Sequence, residues 1–148
     1  MNKCKEVMTQ SPSCCVPEDS PEKAVEMMKA QNVGSIPIIN NYTDYKLVGI
    51  ITDRDIALKI VGMGYDPKKT ALREIMSEDP ISCNEEDNID VALESMAKYQ
   101  IRRIPIINQE KRIVGIIAQS DIALSDEESE VKLETFEEIS KPNKSLNF

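Results

Sequence analysis

The feature that most constrains this chain is an internal repeat. The segment that begins at Val7, VMTQSPSCCVPEDSPEKAVEMMKAQNVGSIPIIN, aligns without a gap with the segment that begins at Ile75, IMSEDPISCNEEDNIDVALESMAKYQIRRIPIIN. A second block, LVGIITDRDIAL from Leu47, matches IVGIIAQSDIAL from Ile113. Because homologous segments adopt the same fold, a repeat limits the architecture before any helix or strand is assigned. The chain is predicted to contain two copies of one unit of about fifty residues.

Within each copy the local signals predict the order strand, helix, strand, strand, helix. Ser20 followed by Pro21 is a strong helix start, because the serine oxygen accepts hydrogen bonds from free amides and the fixed φ of proline suits the first helical position. Asn88 holds the same place in the second copy, and apolar residues follow at helical spacing in both. Two short β-rich runs come next, separated by polar turn residues. The fold class is therefore predicted to be α+β, with two β-α-β-β-α repeats.

The repeat divides the chain into four predicted regions. These are a first repeat at 7–61, a connector at 62–74, a second repeat at 75–124 and an acidic tail at 125–148. A unit of about fifty residues cannot bury both faces of its sheet alone at typical stability, so the two copies are expected to pack against each other. The tail, with seven acidic residues and three lysines, is expected to form a short amphipathic helix or to remain solvated, and a loosely docked segment is favoured.

Composition and charge exclude several classes of function. The chain is 41% hydrophobic and 30% charged, and no apolar run approaches the ~18 residues of a membrane span. No secretory signal is evident, so a cytoplasmic location is expected. The net charge of −8 argues against nucleic acid as the main partner. The chain has no histidine, no GxxxxGK phosphate loop and no cysteine spacing typical of zinc, so we expect neither catalysis nor a bound metal.

The four cysteines are expected to be free thiols in a reducing compartment. Cys14, Cys15 and Cys83 each lie in a segment predicted to be a strand, which favours a role as small buried apolar residues. Adjacent Cys14 and Cys15 allow a second hypothesis, a redox switch. Alternation along a strand argues against it, because neighbouring side chains point to opposite faces.

The repeated motifs together closely resemble the cystathionine β-synthase repeat, the CBS domain, in the tandem arrangement called a Bateman module. The resemblance covers residues 7–124 and rests on the order of three motifs in each copy. These are a Met-x-x-x-Pro opening, a helix ending in QNVGSIPII or YQIRRIPII, and a GIITDRD or GIIAQSD closing. The resemblance implies two repeats related by a pseudo-twofold axis, with clefts between their sheets that bind adenosine derivatives. It also implies a regulatory role without a required cofactor and assembly as a homodimer.

Several candidate site residues follow from the resemblance by position. Asp55 and Asp121 match the aspartate that holds ribose hydroxyls, and Thr52 matches a hydroxyl residue near a phosphate. Arg102 and Arg103 fall where basic residues often face phosphates. Ser120 is a further hydroxyl candidate in the second copy. The predicted contacts to adenine come from the first strands and the IPII runs: Cys15, Ser82, Ile36, Pro37, Ile104 and Pro105.

Physical reasoning supports these assignments but leaves alternatives. A carboxylate can accept two hydrogen bonds from a vicinal diol, and the free amides that follow Thr52 at a helix start suit a phosphate. The spacing from Thr52 to Asp55 also fits a capping box, in which each residue caps the other. Ala118 replaces the threonine in the second copy, so reciprocal capping does not explain Asp121, although the helix dipole can favour an acid there.

The two arginines have a structural explanation as well, since most basic pairs are exposed surface charges. Alternation along a strand allows only one of Arg102 and Arg103 to face a given ligand. Two functional hypotheses remain from different classes. The first is an adenosyl-ligand sensor, and the alternative is a structural dimerisation module with empty clefts.

Overall fold

The computed structural model describes residues 2–123, and the predicted acidic tail lies outside the described residues. Its helices are α1 (Cys4–Val7), α2 (Pro21–Gln31), α3 (Asp53–Ile56), α4 (Ile89–Tyr99) and α5 (Gln119–Ala123). Its strands are β1 (Thr9–Gln10), β2 (Ser35–Ile39), β3 (Leu47–Thr52), β4 (Ser77–Glu78), β5 (Cys83–Asn84), β6 (Arg103–Ile107) and β7 (Ile113–Ala118). A π-helical turn, Ala57–Val61, continues α3, and a 3₁₀ turn covers Leu72–Glu74. The mixed composition of helices and strands confirms the predicted α+β class.

The described chain divides into two compact units. The first-repeat unit contains residues 12–80 with 111–113 and holds the antiparallel sheet β2-β3-β4. The second-repeat unit contains residues 2–11, 81–110 and 114–123 and holds the sheet β1-β7-β6-β5. Each unit therefore takes its long helix and paired long strands from one copy of the repeat and a short strand from the opening of the other.

The opening segment of each copy is divided by a backbone kink, which the sequence patterns do not predict. Ser11 has φ of 52° and Asp79 has φ of 50°, and a proline follows each of them. The left-handed residue ends one strand, and the proline cannot donate an amide hydrogen bond to continue it. In the first copy, β1 therefore pairs with β7, whereas Cys15 forms an isolated parallel bridge with Ile38.

The two long helices begin at the predicted residues but are capped in different ways. The Ser20 hydroxyl accepts a hydrogen bond from the Lys23 amide at 3.2 Å, as predicted. Asn88 is the N-cap of α4 but its side chain does not cap the helix. Instead, the Ile89 amide donates to the backbone carbonyl of Asn2 at 3.0 Å. The N-terminal segment thus supplies the cap that Asn88 does not.

The same N-terminal segment is held by charge. The ammonium groups of Lys3 and Lys5 each lie 2.8 Å from a carboxylate oxygen of Glu86. These hydrogen bonds lower the pKa of Glu86 to about 2. All three groups are exposed, so this cluster orients the segment more than it stabilises the fold.

Strand alternation determines which residues form each core. Ile36 and Ile38 pack with α2 residues in the first-repeat unit, and Ile104 and Ile106 pack with α4 residues in the second. The methionines at positions 8, 27, 28, 76 and 96 join these cores or pack against them. Met63, in contrast, is 62% exposed.

The connector is tied to the first-repeat unit. Leu72 is fully buried in the core of that unit, and the Thr70 hydroxyl donates to the Asp66 carbonyl at 2.7 Å. Arg73 forms an ion pair with Glu18. The segment therefore packs as part of the unit.

All four cysteines are free and buried. Burial raises the pKa of Cys14 to about 12 and that of Cys15 to about 11. A buried thiol that stays protonated is a poor nucleophile, so this environment favours the packing role over the redox switch.

Candidate functional site

Each unit contains a corner where a strand turns directly into a helix, and both candidate aspartates lie there. The first corner runs from Thr52 at the end of β3 to Asp55 in α3. The second runs from Ala118 at the end of β7 to Asp121 in α5. The two corners hold equivalent positions of the repeat, so their differences show how the two copies have diverged.

The first corner is a complete capping box. The Thr52 hydroxyl accepts a hydrogen bond from the Asp55 amide at 3.0 Å, and the Thr52 amide donates to Asp55 Oδ2 at 3.1 Å. This confirms the capping interpretation for this pair. The capping box engages one carboxylate oxygen of Asp55 and leaves the other, because Oδ1 makes neither of these hydrogen bonds.

The amides of this helix start do not form the anion site that the sequence predicts. The Asp53 amide donates to the Gly34 carbonyl at 2.9 Å, and the Arg54 amide donates to Asp53 Oδ1 at 2.8 Å. With the Asp55 amide bound to Thr52, the first three donors are occupied. A phosphate would have to displace one of these bonds, so the amides are not free as expected, and the phosphate contact of Thr52 stays a prediction.

A lysine completes the first corner. Lys59 Nζ lies 3.7 Å from Asp55 Oδ1, and the side chains are 37% and 17% exposed, respectively. The same ammonium donates a hydrogen bond to the backbone carbonyl of Ile75 at 2.8 Å. Asp55 is therefore a largely buried carboxylate with one oxygen held by the backbone and the other beside a cation.

The second corner keeps half of the capping box. The Ala118 amide donates to Asp121 Oδ2 at 2.8 Å, although alanine has no hydroxyl to return the bond. Reciprocal capping is therefore absent at Asp121, as the sequence indicates, but the carboxylate still caps the corner amide by itself. Ser120 is exposed on the first turn of α5, and the hydrogen bond from the Gln119 amide goes to the Arg102 carbonyl at 2.9 Å.

The arginine pair separates as strand alternation predicts. Arg103 is half-buried and close enough to Asp121 for the two charges to interact, whereas Arg102 is exposed. Burial lowers the pKa of Arg103, and the charge of Asp121 opposes that change. Among residues 2–123, the Arg103 Nε is buried without a hydrogen-bond partner. The cation near the aspartate thus comes from a strand in the second corner and from a helix in the first.

Strand alternation also sorts the residues predicted to contact adenine. The side chains of Cys15, Ile36 and Ile104 are buried in the hydrophobic cores, so the adenine contacts predicted for these residues would come from their backbone groups. Pro37 and Pro105 are buried but belong to neither core cluster, and they alternate with the core residues along β2 and β6. Pro105 shares its strand face with Arg103. Ser82 is half-buried between β4 and β5.

The sequence patterns missed Lys59, and one signal could have indicated it. Lys59 follows Asp55 by four residues, the spacing at which opposite charges meet on a helix. The spacing cannot reveal the bond to Ile75, which depends on the tertiary fold.

No group of three or more potential metal ligands occurs among residues 2–123. Within the same range, no helix is both long and apolar enough to span a membrane.

Both copies of the repeat are similar to a known protein family. The family model described as CBS domain matches residues 4–62 and 72–127. The CBS domain-containing protein YhcV of Bacillus subtilis is 35% identical over 143 residues, covering 97% of this chain and 99% of the relative. These matches extend over both predicted repeats.

Two solved structures resemble the fold closely. Hypoxic Response Protein I, a structure with two coordinated zinc ions, has a TM-score of 0.74 and 29% identity over 82% of this chain and 97% of its own. The CBS domain pair of protein MJ0100, in complex with 5′-methylthioadenosine and S-adenosyl-L-methionine, has a TM-score of 0.70 and 29% identity over 83% of this chain and 94% of its own.

Proposed function

Because this chain belongs to the CBS domain family and carries two copies of the domain, we propose that it is a non-catalytic regulatory module for an adenine nucleotide or another adenosyl ligand. The candidate ligands are AMP, ADP, ATP and S-adenosylmethionine. The proposed anchors are Asp55 and Asp121, each accepting hydrogen bonds from the ribose hydroxyls. The module would act on a partner through a change of shape or affinity when the ligand binds.

The observation that carries this proposal is the paired corner geometry. In both units, the backbone amide at the corner holds Oδ2 of the aspartate at 2.8 or 3.1 Å, which fixes the orientation of the carboxylate. A carboxylate oriented in advance loses little freedom when it accepts hydrogen bonds from a diol. The solved CBS domain pair with 29% identity contains two adenosyl compounds, which supports the same ligand class here.

The surroundings of the corners bear on the choice of ligand. The amides that follow Thr52 are already bonded, so they offer little to a triphosphate. Either Arg103 or the exposed Arg102 remains the proposed phosphate contact. Methylthioadenosine and S-adenosylmethionine carry no phosphate, so they need no phosphate contact.

The test is a calorimetric titration of the full chain with AMP, ADP, ATP, S-adenosylmethionine and methylthioadenosine, paired with thermal unfolding. A ligand at about 100 times its dissociation constant should stabilise the chain by about 2.7 kcal/mol. If no adenosyl compound gives heat or a shift in Tm, the structural dimerisation alternative is favoured. Loss of ligand over many turnovers would instead indicate an enzyme.

We also propose that the module is a homodimer, because an apolar surface is exposed after the first corner. Leu58 is 50% exposed and Val61 is 80% exposed, and both lie on the π-helical turn that continues α3. Exposed neighbouring apolar side chains are typical of protein contacts. The proposed occupant is the same surface on a second copy.

The double substitution Leu58→Glu/Val61→Glu is expected to raise the dimer dissociation constant about 100-fold or more, because it places four carboxylates in the interface of two copies. Sedimentation equilibrium measures this constant. The control is Val25→Glu/Val91→Glu, which adds the same charge at valines that are 45% and 42% exposed elsewhere. An equal effect of the two double variants would contradict the assignment of this surface.

A further inference from the structure

Lys59 makes two contacts that join parts of the chain far apart in sequence. Its ammonium donates to the Ile75 carbonyl at 2.8 Å, sixteen residues away, and lies 3.7 Å from Asp55 Oδ1. The first contact is a short hydrogen bond, whereas the second is an ion pair without one. The lysine is therefore bound firmly to the backbone and loosely to the candidate ligand-binding carboxylate.

The hydrogen bond from Lys59 reaches Ile75 at the point where the connector ends and β4 is about to begin. Ile75 is fully buried and follows the 3₁₀ turn at the end of the connector. The Met76 amide donates to the Leu72 carbonyl at 2.8 Å, and β4 begins at the next residue. A carbonyl at a buried residue needs a hydrogen-bond partner, so Lys59 stabilises the point where the connector becomes β4.

The helix after Asp55 is also unusual at this point. Residues Ala57–Val61 form a π-helical turn, closed by a hydrogen bond from the Gly62 amide to the Ala57 carbonyl at 2.9 Å. A side chain at position 62 would collide with the Leu58 carbonyl, so the turn requires glycine there. Single π turns occur often at functional positions of helices, and this one contains Lys59.

We propose that Lys59 is a positioning residue that couples Asp55 to the segment Leu72–Glu78. The inference rests on the proposed function of Asp55 in ligand binding. A ligand hydroxyl that enters beside Oδ1 displaces the ammonium from the carboxylate, since no hydrogen bond holds them together. Because the carboxylate then no longer attracts the ammonium to its place beside the Ile75 carbonyl, that hydrogen bond weakens, and ligand occupancy changes the stability of this segment.

The second copy has no lysine at the position equivalent to Lys59. Asp121 corresponds to Asp55, but the residue four positions later is Ser125. The cation near Asp121 is Arg103, which belongs to a strand and lies in the same unit. Among residues 2–123, a lysine that contacts both a corner aspartate and a later segment is therefore found at the first corner alone.

Hydrogen exchange measured by mass spectrometry on the full chain tests the coupling without a ligand. We expect Lys59→Met to accelerate exchange of the Ile75 and Met76 amides about tenfold, because the carbonyl loses its charged donor. Asp55→Asn should accelerate it about threefold alone and not at all in the Lys59→Met background. Lys59→Arg should retain most of the protection. Lys23→Met is the matched control, since Lys23 forms an ion pair with Asp19 at the same spacing in the same unit.

Additive effects of Asp55→Asn and Lys59→Met would overturn the coupling, as would an equal effect of Lys23→Met. A second measurement adds S-adenosylmethionine or AMP to the wild-type chain and to Lys59→Met. Faster exchange of the segment on binding, in the wild type only, supports the coupling. If neither compound binds, the proposed function fails, while the double-variant comparison still decides on Lys59.

Discussion

Asp55→Asn and Asp121→Asn are each expected to weaken binding of an adenosyl ligand at their own corner about 100-fold, measured by calorimetric titration. Each aspartate is expected to accept two hydrogen bonds from the ribose hydroxyls, and hydrogen bonds to a charged group contribute about 1.5–3 kcal/mol each. Asparagine retains an oxygen that can accept the corner amide of Thr52 or Ala118, so the fold should change little. The double variant should show no binding.

The matched control is Asp53→Asn. Asp53 lies two residues before Asp55 in the same helix, but it is exposed and its Oδ1 accepts a hydrogen bond from the Arg54 amide. Its substitution should leave the affinity unchanged within about twofold. Unchanged affinity in both single variants at the corners would remove the site assignment. Loss at one corner alone would show that only one unit binds ligand.

Gly115→Ala is expected to destabilise the chain by about 1–3 kcal/mol, because the Met8 side chain and the Thr9 carbonyl at the start of β1 approach this glycine closely. A Cβ at position 115 would meet the Met8 sulfur, would lie 2.7 Å from Met8 Cγ and would lie 2.9 Å from the Thr9 carbonyl. The Thr9 carbonyl belongs to the backbone of the paired strand and cannot move without breaking the register with β7. Urea unfolding measures the change in free energy.

The equivalent substitution in the other unit is the control. At Gly49, a Cβ would lie 2.9 Å from the Met76 sulfur and 3.0 Å from the Ser77 carbonyl, so Gly49→Ala should cost less. Adding Met8→Ala to Gly115→Ala removes the side-chain part of the collision and should recover part of the loss. A Gly115→Ala chain as stable as the wild type would contradict the close approach of β1.

Much of the fold could be predicted from the repeat because its signals are local. The Ser20 cap, the helices at α2 and α4 and the hairpin of β2 with β3 all follow from residue preferences over a few positions. Asp55 and Asp121 could be found for the same reason, as they hold matching places in a duplicated motif. Burial of Ile36 and Ile104 also follows from alternation, but alternation alone does not say which face is the core.

The remaining features depend on contacts between distant parts of the chain. The donors after Thr52 were expected to be free, but Gly34, fixed by a different strand, accepts one of them. The Ile89 amide at the start of α4 donates its hydrogen bond to the Asn2 carbonyl, and no pattern near residue 89 can indicate this partner.

The sequence by itself determined that two like units form, where their main helices and hairpins lie and which two acids hold equivalent places. Only the tertiary structure decided that each unit takes a strand from the opening of the other copy, that Arg103 belongs with Asp121, and that Lys59 connects Asp55 to Ile75. The physical reason is the range of the interactions. Propensity and periodicity act over a few residues, whereas burial, charge pairing and hydrogen bonding to distant carbonyls depend on which segments meet when the chain has folded.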